Sequence, residues 1–208
     1  MTASTPFDNA AAPVGDPRLD ARVRRTRDAL LEALFLEMTD RGYERTTVQH
    51  LLARAGVGRA TFYAHFDGKE ALLAASLQRL QDMLERADRA GRGRLAFTAA
   101  FFEHLDSHRR LYRTLVLRES EVTVEARIRE MLRVLVRRSL QREPGRWDDP
   151  AWLELATQYV AGTLWSVLGW WMEGRVALTP QGVDEAFRRL VSPGLDALAA
   201  GLAPGSRR

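Results

Sequence analysis

The sequence has no cysteine among its 208 residues. Disulfide bonds, thiolate nucleophiles and cysteine-ligated zinc sites are therefore excluded. Because this composition fits a reducing compartment, we expect a cytoplasmic protein. Lysine is almost absent as well: 30 arginines accompany a single lysine, Lys69, and genome base composition explains this bias. The formal charge of +4 permits a nucleic-acid partner without requiring one.

Long uncharged segments are also scarce. The longest, LATQYVAGTLWSVLGWWM at residues 155–172, has 18 residues, which is close to the lower limit of about 17 for a membrane span. Because threonine, glutamine and serine interrupt it and a charged segment follows, we interpret it as a buried helix and expect no membrane partner. The first 17 residues lack the basic and apolar regions of a signal peptide, and we expect a disordered tail there.

Patterns typical of enzymes are missing from the sequence. It contains neither a phosphate-binding glycine loop nor the serine, histidine and aspartate signature of a hydrolase. His104 and His108 have the i, i+4 spacing of a metal site. However, the motif HLDSH lacks the glutamate of HExxH, and a helix end beside aromatic residues explains the pair equally well. We therefore expect no enzymatic activity, no cofactor and no metal site.

Apolar residues recur with a period near 3.6 residues along most of the chain, and no segment alternates with period two over strand length. This pattern predicts an all-α fold. The segment AGRGR at residues 90–94 divides the chain into two parts. We place the tail at residues 1–17, a first helical domain at 18–67, a connecting helix at 68–90 and a second helical domain at 91–202. The last helix is expected to be interrupted at Pro193 and Gly194.

The first domain contains two short helices joined at ARAGVGR, with the length and turn of a helix-turn-helix. Thr46 and Gln49 fit a capping box at the start of the first of these helices. Gly56 suits a left-handed conformation at its end. Phe62 and Phe66, four residues apart, are expected to anchor the second short helix to the core. In such a unit the second helix lies in the major groove of DNA, although a plain helical hairpin with solvated polar residues has the same spacing.

The start of the connecting helix carries the only lysine of the chain. Asp67 and Glu70 fit a second capping box, which places Lys69 at the second position of the helix. A cation is disfavoured there by about 0.3–1 kcal/mol. Either Lys69 forms a surface ion pair with a carboxylate such as Glu70, or its ammonium adds to a phosphate site at the helix N-terminus.

Residues 22–80 resemble the DNA-binding domain of the tetracycline repressor (TetR) family of bacterial regulators. The segment that carries the resemblance is GYERTTVQHLLARAGVGRATFYAHFDGKEALL at residues 42–73, with a long helix before and after it. Gly58 stands where the family often has serine. The resemblance implies that four residues contact phosphate groups: Thr47, Tyr63, His65 and Lys69. It implies that three residues contact bases: Arg59, Ala60 and Thr61. His50 faces either phosphate or solvent, and we favour solvent.

The second domain is expected to dimerise. Gly162, Ser166 and Gly169 lie at i, i+4 and i+7 and would let another backbone approach closely. The family resemblance implies a homodimer formed by the last two long helices. The residues predicted to lie at this interface are Gly162, Ser166, Gly169, Phe187, Leu190 and Val191.

The middle of the chain resembles the family only weakly, and there the family places its effector pocket. Nine apolar or aromatic residues are candidates for its lining, although each fits an ordinary core position as well: Phe101, Phe102, Leu105, Tyr112, Leu115, Met131, Leu135, Tyr159 and Trp165. So many aromatic residues favour an apolar or aromatic ligand. The arginines at positions 109, 110, 113 and 118 leave open the alternative that the ligand carries an anionic group.

The resemblance implies an N-terminal helix-turn-helix DNA-binding domain followed by a helical ligand-binding and dimerisation domain. The expected function is a homodimeric transcriptional regulator that binds a palindromic double-stranded DNA operator, represses transcription and is released by a small-molecule effector. The effector would tilt the connecting helix and change the spacing of the two recognition helices. The alternative is a helical small-molecule-binding or enzymatic protein with an incidental basic N-terminus. The sequence does not distinguish a repressor from an activator.

Overall fold

The computed structural model describes residues 17–117, 122–174 and 176–201. Those ranges contain nine α-helices and no strand, which confirms the all-α prediction. The helices are α1 (Pro17–Arg41), α2 (Val48–Ala55), α3 (Arg59–Tyr63), α4 (Lys69–Ala90), α5 (Phe97–Ser107), α6 (Arg109–Leu117), α7 (Val122–Gln141), α8 (Pro150–Glu173) and α9 (Pro180–Gly201). The predicted tail lies outside the described residues, apart from Pro17 at the start of α1, and so does Arg118.

Helices α1, α2 and α3 form a small unit that packs against the start of α4. Its core consists of buried leucine and aromatic side chains, including Leu30, Leu34, Leu51, Phe62 and Leu72. One helix of this unit has only eight residues and another only five, and isolated helices shorter than about 12 residues are marginal in water. Tertiary packing, rather than helix propensity, therefore holds α2 and α3 in place.

A buried carboxylate joins α1 to α2. Glu37 is 3% exposed and forms ion pairs with Arg41 at 2.7 Å and with Arg54 of α2 at 2.5 Å. Arg54 also binds Asp40 at 2.8 Å. A buried charge is tolerated only when it is paired, and two guanidinium groups supply that pairing here. Arg54 is therefore a structural residue of the helix-turn-helix unit.

The start of α2 differs from the prediction by one residue. Thr47, not Thr46, is the N-cap: its Oγ1 accepts from the backbone N of His50 at 3.3 Å, and Nδ1 of His50 accepts from the backbone N of Thr47 at 3.2 Å. Thr46 is buried, and its hydroxyl donates to the carbonyl of Gly42 at 2.8 Å. The Thr46 hydroxyl is thus bound within the preceding turn and cannot cap α2. His50 takes the capping-box role that we predicted for Gln49.

The start of α4 also differs from the prediction. Gly68 is the N-cap, with an extended backbone, and no side chain caps the helix, so the Asp67 capping box is wrong. The Glu70 carboxylate folds back towards Gly68, where a Cβ would lie 3.3 Å from its Oε2. Lys69 is consequently the first residue of α4 instead of the second.

Helices α5 to α9 enclose the remaining part of a hydrophobic core that continues from the first unit. Phe102 lies at its centre, with its ring 5.6 Å from that of Trp171 and 6.5 Å from that of Phe187. Helix α9 continues through Pro193 to Gly201, so the predicted interruption is wrong. Val191 and Leu195 are buried on either side of the proline, and their packing offsets the missing backbone hydrogen bond. Within the described ranges we find no helix with the length and apolarity that a bilayer crossing requires.

Candidate nucleic-acid interface and effector cavity

Helix α3 presents polar side chains on a buried aromatic anchor. Phe62 is 0% exposed and Phe66 5% exposed, with their ring centroids 6.2 Å apart, which confirms both as anchors. The anchors turn Arg59, Ala60 and Thr61 towards solvent. A five-residue helix held this way has few ways to move independently of the core. Its outer surface therefore stands at a fixed position on the protein.

The turn before α3 has the geometry that a helix-turn-helix needs. Gly56 ends α2 in the left-handed conformation, with φ 63° and ψ 32°, as predicted. A residue with a Cβ would be strained in that conformation. Gly58 begins α3 without a side-chain hydrogen bond, so no side chain occupies the free N–H groups of the first turn of α3.

The predicted phosphate-contacting residues differ in how exposed their side chains are. Thr47 and Tyr63 are exposed, with 48% of Tyr63 accessible, and the Arg59 guanidinium lies 5.9 Å from the Tyr63 ring centroid. His65 is half-buried. His50 is half-buried, so it does not have the fully solvated position that we favoured. Its two ring nitrogens face the Thr47 backbone and Nη1 of Arg41, the latter at 3.3 Å.

Lys69 has a structural partner that sequence reasoning missed. Its Nζ donates to the carbonyl of Tyr43 at 3.2 Å and lies 4.3 Å from the centroid of the same tyrosine's ring. Burial, followed by the nearby Glu70 and Glu44, raises the pKa of Tyr43 to about 12, so the ring facing the ammonium is a neutral phenol. No ion pair of Lys69 with Glu70 is found in the described part of the chain. A cation over an aromatic face is favourable and offsets the poor location at a helix N-terminus.

Arg45 is an exposed cation beside this surface that sequence reasoning did not include. It lies two residues before Thr47, and its Nε donates to the carbonyl of Arg41 at 2.8 Å. Among the described residues it forms no ion pair, in contrast to Arg41 and Arg54. The signal in the sequence was an arginine directly before the paired threonines.

Comparison with known proteins agrees with this geometry. Residues 28–76 match the sequence profile of bacterial regulatory proteins of the tetR family. This segment of the chain is therefore similar to the DNA-binding part of tetR-family regulators. The matched part covers α2, α3 and the Phe62–Phe66 anchor completely. It is therefore the domain with the exposed recognition helix that carries the family signature.

Three individual relatives extend the comparison. An uncharacterised HTH-type transcriptional regulator of Bacillus subtilis, YxbF, is 35% identical over 65 residues, which are 31% of this chain; the chain spans only 17% of that relative. The structure of a TetR transcriptional regulator from Streptococcus agalactiae superposes with a TM-score of 0.64 at 24% identity, covering 84% of this chain and 97% of the other. NalD of Pseudomonas aeruginosa, the secondary repressor of the MexAB-OprM multidrug efflux pump, gives a TM-score of 0.58 at 19% identity, with coverages of 83% and 96%. These two structures share the fold along most of the chain.

The chain contains a partly open cavity of about 290 Å³ between α1, α4, α6 and α7. Of the nine predicted lining residues, only Tyr112 and Leu115 border it. Five of the others are buried elsewhere: Phe101, Phe102, Leu105, Met131 and Leu135. Trp165 is also buried and stacks under Arg129, whereas Tyr159 is 46% exposed on α8. These seven residues do not border this cavity, because α5 packs on α9 and leaves α1 and α4 to complete the wall.

His104 borders the same cavity and is bound to its neighbours. Its Nε2 lies 3.0 Å from the Tyr112 hydroxyl, and its ring centroid is 4.4 Å from that of His108. Nδ1 of His108 lies 2.9 Å from the carbonyl of His104. Burial, followed by the nearby His108, lowers the pKa of His104 to about 4. No group of three metal-binding side chains occurs in the described ranges.

The lowered pKa of His104 predicts a loss of stability in acid. The folded protein keeps His104 neutral down to a pH of about 4, whereas the unfolded chain takes up a proton near 6.5. Because the unfolded state binds more protons in between, stability falls as the pH decreases from about 6.5 towards 4. We expect the drop in Tm between about pH 7.5 and about pH 5 to be smaller for His104→Gln than for the parent. His65→Gln is the control, and an equal drop in all three proteins would contradict the assignment.

One side of helix α8 is not covered by any other part of the chain that the structure describes. Leu155, Tyr159, Gly162, Ser166 and Trp170 lie along this side, which we call the α8 face. Three of these residues are large and apolar yet remain 51%, 46% and 43% exposed: Leu155, Tyr159 and Trp170. At Gly162 an added Cβ would meet no described atom within 4 Å outside the backbone of its own helix and the adjacent residues. Among the described residues nothing covers the α8 face, which is an apolar surface.

The residues predicted on α9 divide into exposed and buried positions. Leu190 is 72% exposed, but Phe187 and Val191 are 1% and 0% exposed and belong to the core. Assigning Phe187 and Val191 to a dimer interface was therefore wrong, because a partner cannot reach them. Ser166 is exposed and donates to the Gly162 carbonyl at 3.1 Å, while Gly169 is half-buried.

Proposed function

We propose that this DNA-binding regulator is a dimeric transcriptional repressor that binds a palindromic operator through α3 and is released by a small molecule. The observation that carries the proposal is the recognition helix itself. Phe62 and Phe66 fix it from below, while Arg59, Ala60 and Thr61 point outward within the segment that matches the TetR family. The resemblance assigns base contacts to these three residues.

The chemistry of the exposed residues suits both kinds of DNA contact. The Arg59 guanidinium can donate to O6 and N7 of guanine, and the Ala60 methyl or the Thr61 methyl can contact a thymine methyl group. Thr47, Tyr63, His65 and Lys69 carry hydroxyl, imidazole and ammonium groups, which suit phosphate oxygens. Lys69 uses one donor on the Tyr43 carbonyl, and the remaining N–H groups of its ammonium are available to a phosphate.

The α8 face supports a homodimer. Large apolar side chains exposed side by side on a folded chain indicate an interface. Leu190 of α9 extends the apolar surface, and Gly194 lies beside the Tyr159 hydroxyl, so the two helices contribute together. A twofold dimer would pair the α8 face of one protomer with that of its partner.

The cavity supports regulation by a small molecule because it touches the DNA-binding domain directly. Phe35 and Met38 of α1 form part of its wall. His108, between α5 and α6, approaches Phe35 of α1 edge-to-face with centroids 4.9 Å apart, and Arg110 of α6 lies 3.7 Å from Asp40 of α1. A ligand that binds more tightly when α1 and α4 are displaced would shift the protein away from the DNA-binding arrangement. NalD, which has a similar fold, is a repressor, and we propose repression rather than activation on this ground.

A gel shift with DNA taken from immediately upstream of the encoding gene tests the proposed function. We expect a discrete complex that weakens by about 10³-fold or more between about 50 mM and about 200 mM salt, because phosphate contacts release counterions. Unrelated DNA of equal length should bind at least about 10³-fold more weakly. A protein that binds neither DNA at low salt would instead be a helical small-molecule-binding protein.

Two substitutions in α3 should have different consequences. Arg59→Ala is expected to cost about 1–3 kcal/mol and to relax the base preference at one position of each half-site. Tyr63→Ala should weaken binding to operator and to unrelated DNA alike, because a phosphate contact carries no sequence information. Binding titrations against the operator and its single-base variants separate the two effects. If both variants keep the parent's affinity and circular dichroism spectrum, α3 is not the recognition helix.

Chemical modification of Lys69 tests its phosphate contact. An amine-acetylating reagent can reach only this side chain and the α-amino group, since Lys69 is the single lysine. Acetylation should weaken operator binding and reduce the salt dependence by about one counterion per subunit. The charge-preserving Lys69→Arg is the control, and Tm measurements account for the lost Tyr43 contact. Complete acetylation with unchanged operator affinity would show that Lys69 serves only the fold.

A further inference from the structure

The lining of the effector cavity has an uneven distribution of charge. Apolar side chains from α1, α4, α6 and α7 make up most of the wall. Two arginines of α4, Arg79 and Arg86, stand at its edge, and the lining contains no aspartate or glutamate. An apolar cavity edged by guanidinium groups repels a cationic ligand and attracts an anionic one.

The two arginines are not equivalent. Nη1 of Arg79 binds the Asp28 carboxylate of α1 at 2.7 Å, so its charge is neutralised within the chain. Arg86 is exposed, and no acidic group in the described ranges pairs with it. Arg86 lies seven residues, or about two helical turns, beyond Arg79 on the same side of α4. The edge of the cavity therefore holds one guanidinium that remains available to a ligand.

Two of the other polar side chains at the cavity satisfy each other, and the remaining one, Ser76, is an uncharged hydroxyl. His104 and the Tyr112 hydroxyl lie within hydrogen-bond distance at 3.0 Å. Tyr112 is buried, and burial raises the pKa of its phenol, so the pair carries no charge for a ligand to neutralise. The interior of the cavity thus suits an apolar group, and only its edge suits a charged one.

We propose that the cavity binds a monoanionic amphiphile, with an apolar chain enclosed between α1, α4, α6 and α7 and a carboxylate paired with Arg86. This inference rests on the proposed function, in that it names the chemical class of the effector. The cavity of about 290 Å³ is roughly twice the size of the apolar cavity of about 150 Å³ that holds benzene in an engineered protein, so a chain of several carbons fits. A carboxylate accepts two parallel hydrogen bonds from one guanidinium, which a neutral or cationic head group does not.

Calorimetric titration of the full chain without DNA tests the chemical class. The probes are hexanoate, octanoate and decanoate, together with 1-octanol and octylammonium at the same chain length as octanoate. We expect each enclosed methylene to tighten binding by about four-fold, the equivalent of about 0.8 kcal/mol, until the chain outgrows the cavity. Octanoate should bind more tightly than 1-octanol, and octylammonium should bind most weakly. Equal affinities for the three head groups, or the tightest binding by octylammonium, would overturn the proposal.

Variants locate the binding site. Arg86→Gln should weaken octanoate about three- to ten-fold, as expected for an ion pair near solvent, and leave 1-octanol unchanged. Arg89→Gln removes an exposed arginine of the same helix that pairs with Glu85 outside the cavity, and it should change neither ligand. Ser76→Phe should fill the cavity and abolish binding of both. If Ser76→Phe folds with a parent-like circular dichroism spectrum yet still binds octanoate, the site lies elsewhere.

Measuring operator binding alongside ligand binding distinguishes a failure of this inference from a failure of the proposed function. Octanoate binding that depends on Arg86, in a protein that never binds DNA, would support the ligand class and refute the repressor. A protein that binds its operator but none of the five probes would retain the regulator and refute the anionic amphiphile.

Discussion

Replacing Phe62 with alanine is expected to lower the free energy of unfolding by about 3–5 kcal/mol, the usual cost of removing a buried phenylalanine ring. Phe62 is 0% exposed, and its ring contacts Tyr63 and Phe66 at centroid distances of 5.3 and 6.2 Å. Because α3 has only five residues, it has no stability of its own to replace the lost packing. Operator binding should therefore disappear together with the ordered position of α3.

Urea denaturation followed by circular dichroism measures the expected change. Tyr63→Ala is the matched control, because its side chain is 48% exposed and lies on the same helix. It should change stability by no more than about 0.5 kcal/mol while still weakening DNA binding. If Phe62→Ala loses less than about 1 kcal/mol, the packing of Phe62 does not hold α3.

Replacing Gly162 with tryptophan is expected to abolish the dimer. Outside the backbone of its own helix and the adjacent residues, a Cβ at this position meets no described atom within 4 Å, so we expect the protomer to accept the larger side chain. Removing a glycine from the interior of α8 should even stabilise the helix slightly. A loss of association must therefore come from a clash across the α8 face. In a dimer, binding of one protomer holds the other close to its half-site. Separate protomers must bind independently, so operator affinity should fall by about 10²-fold or more.

Sedimentation equilibrium at micromolar protein checks this expectation. The parent should have twice the 23.5 kDa mass of the chain, and Gly162→Trp should have the mass of one chain. Ala90→Trp places the same side chain at an exposed position at the end of α4 and should remain dimeric. A monomeric parent that still binds its operator tightly would show that the α8 face is not a dimer interface.

Local sequence signals predicted the short helix α3 and its aromatic anchor well. Phe62 and Phe66 are four residues apart, a spacing that places them on one side of a helix wherever that helix packs. Gly56 was predictable for the same reason, because a left-handed helix end depends on the residue itself. The positions of the caps depended on more than local spacing. Thr46 and Thr47 are chemically equivalent, and only the fold of the preceding turn decides which hydroxyl reaches the helix.

The cavity could not be predicted from composition. Phe101, Phe102 and Leu105 have the same apolar character as the true lining residues, and the packing of α5 against α9 decides where they point. The contribution of α1 was missed because Phe35 lies in the DNA-binding segment, far along the sequence from α6 and α7. Sequence spacing along one helix does not show which helix it will face. The same reason explains why Phe187 is buried and Leu190 exposed on one helix.

Selection of binding sites from random-sequence DNA by the purified protein tests the central claim most directly. If a dimer binds through two copies of α3, the enriched sequences will form an inverted repeat with half-site centres about 10–10.5 base pairs apart or a multiple of that spacing. Arg59→Ala will then lose the preference at one position of each half-site. Enrichment of a single unpaired site, or no enrichment over the starting pool, would contradict the account.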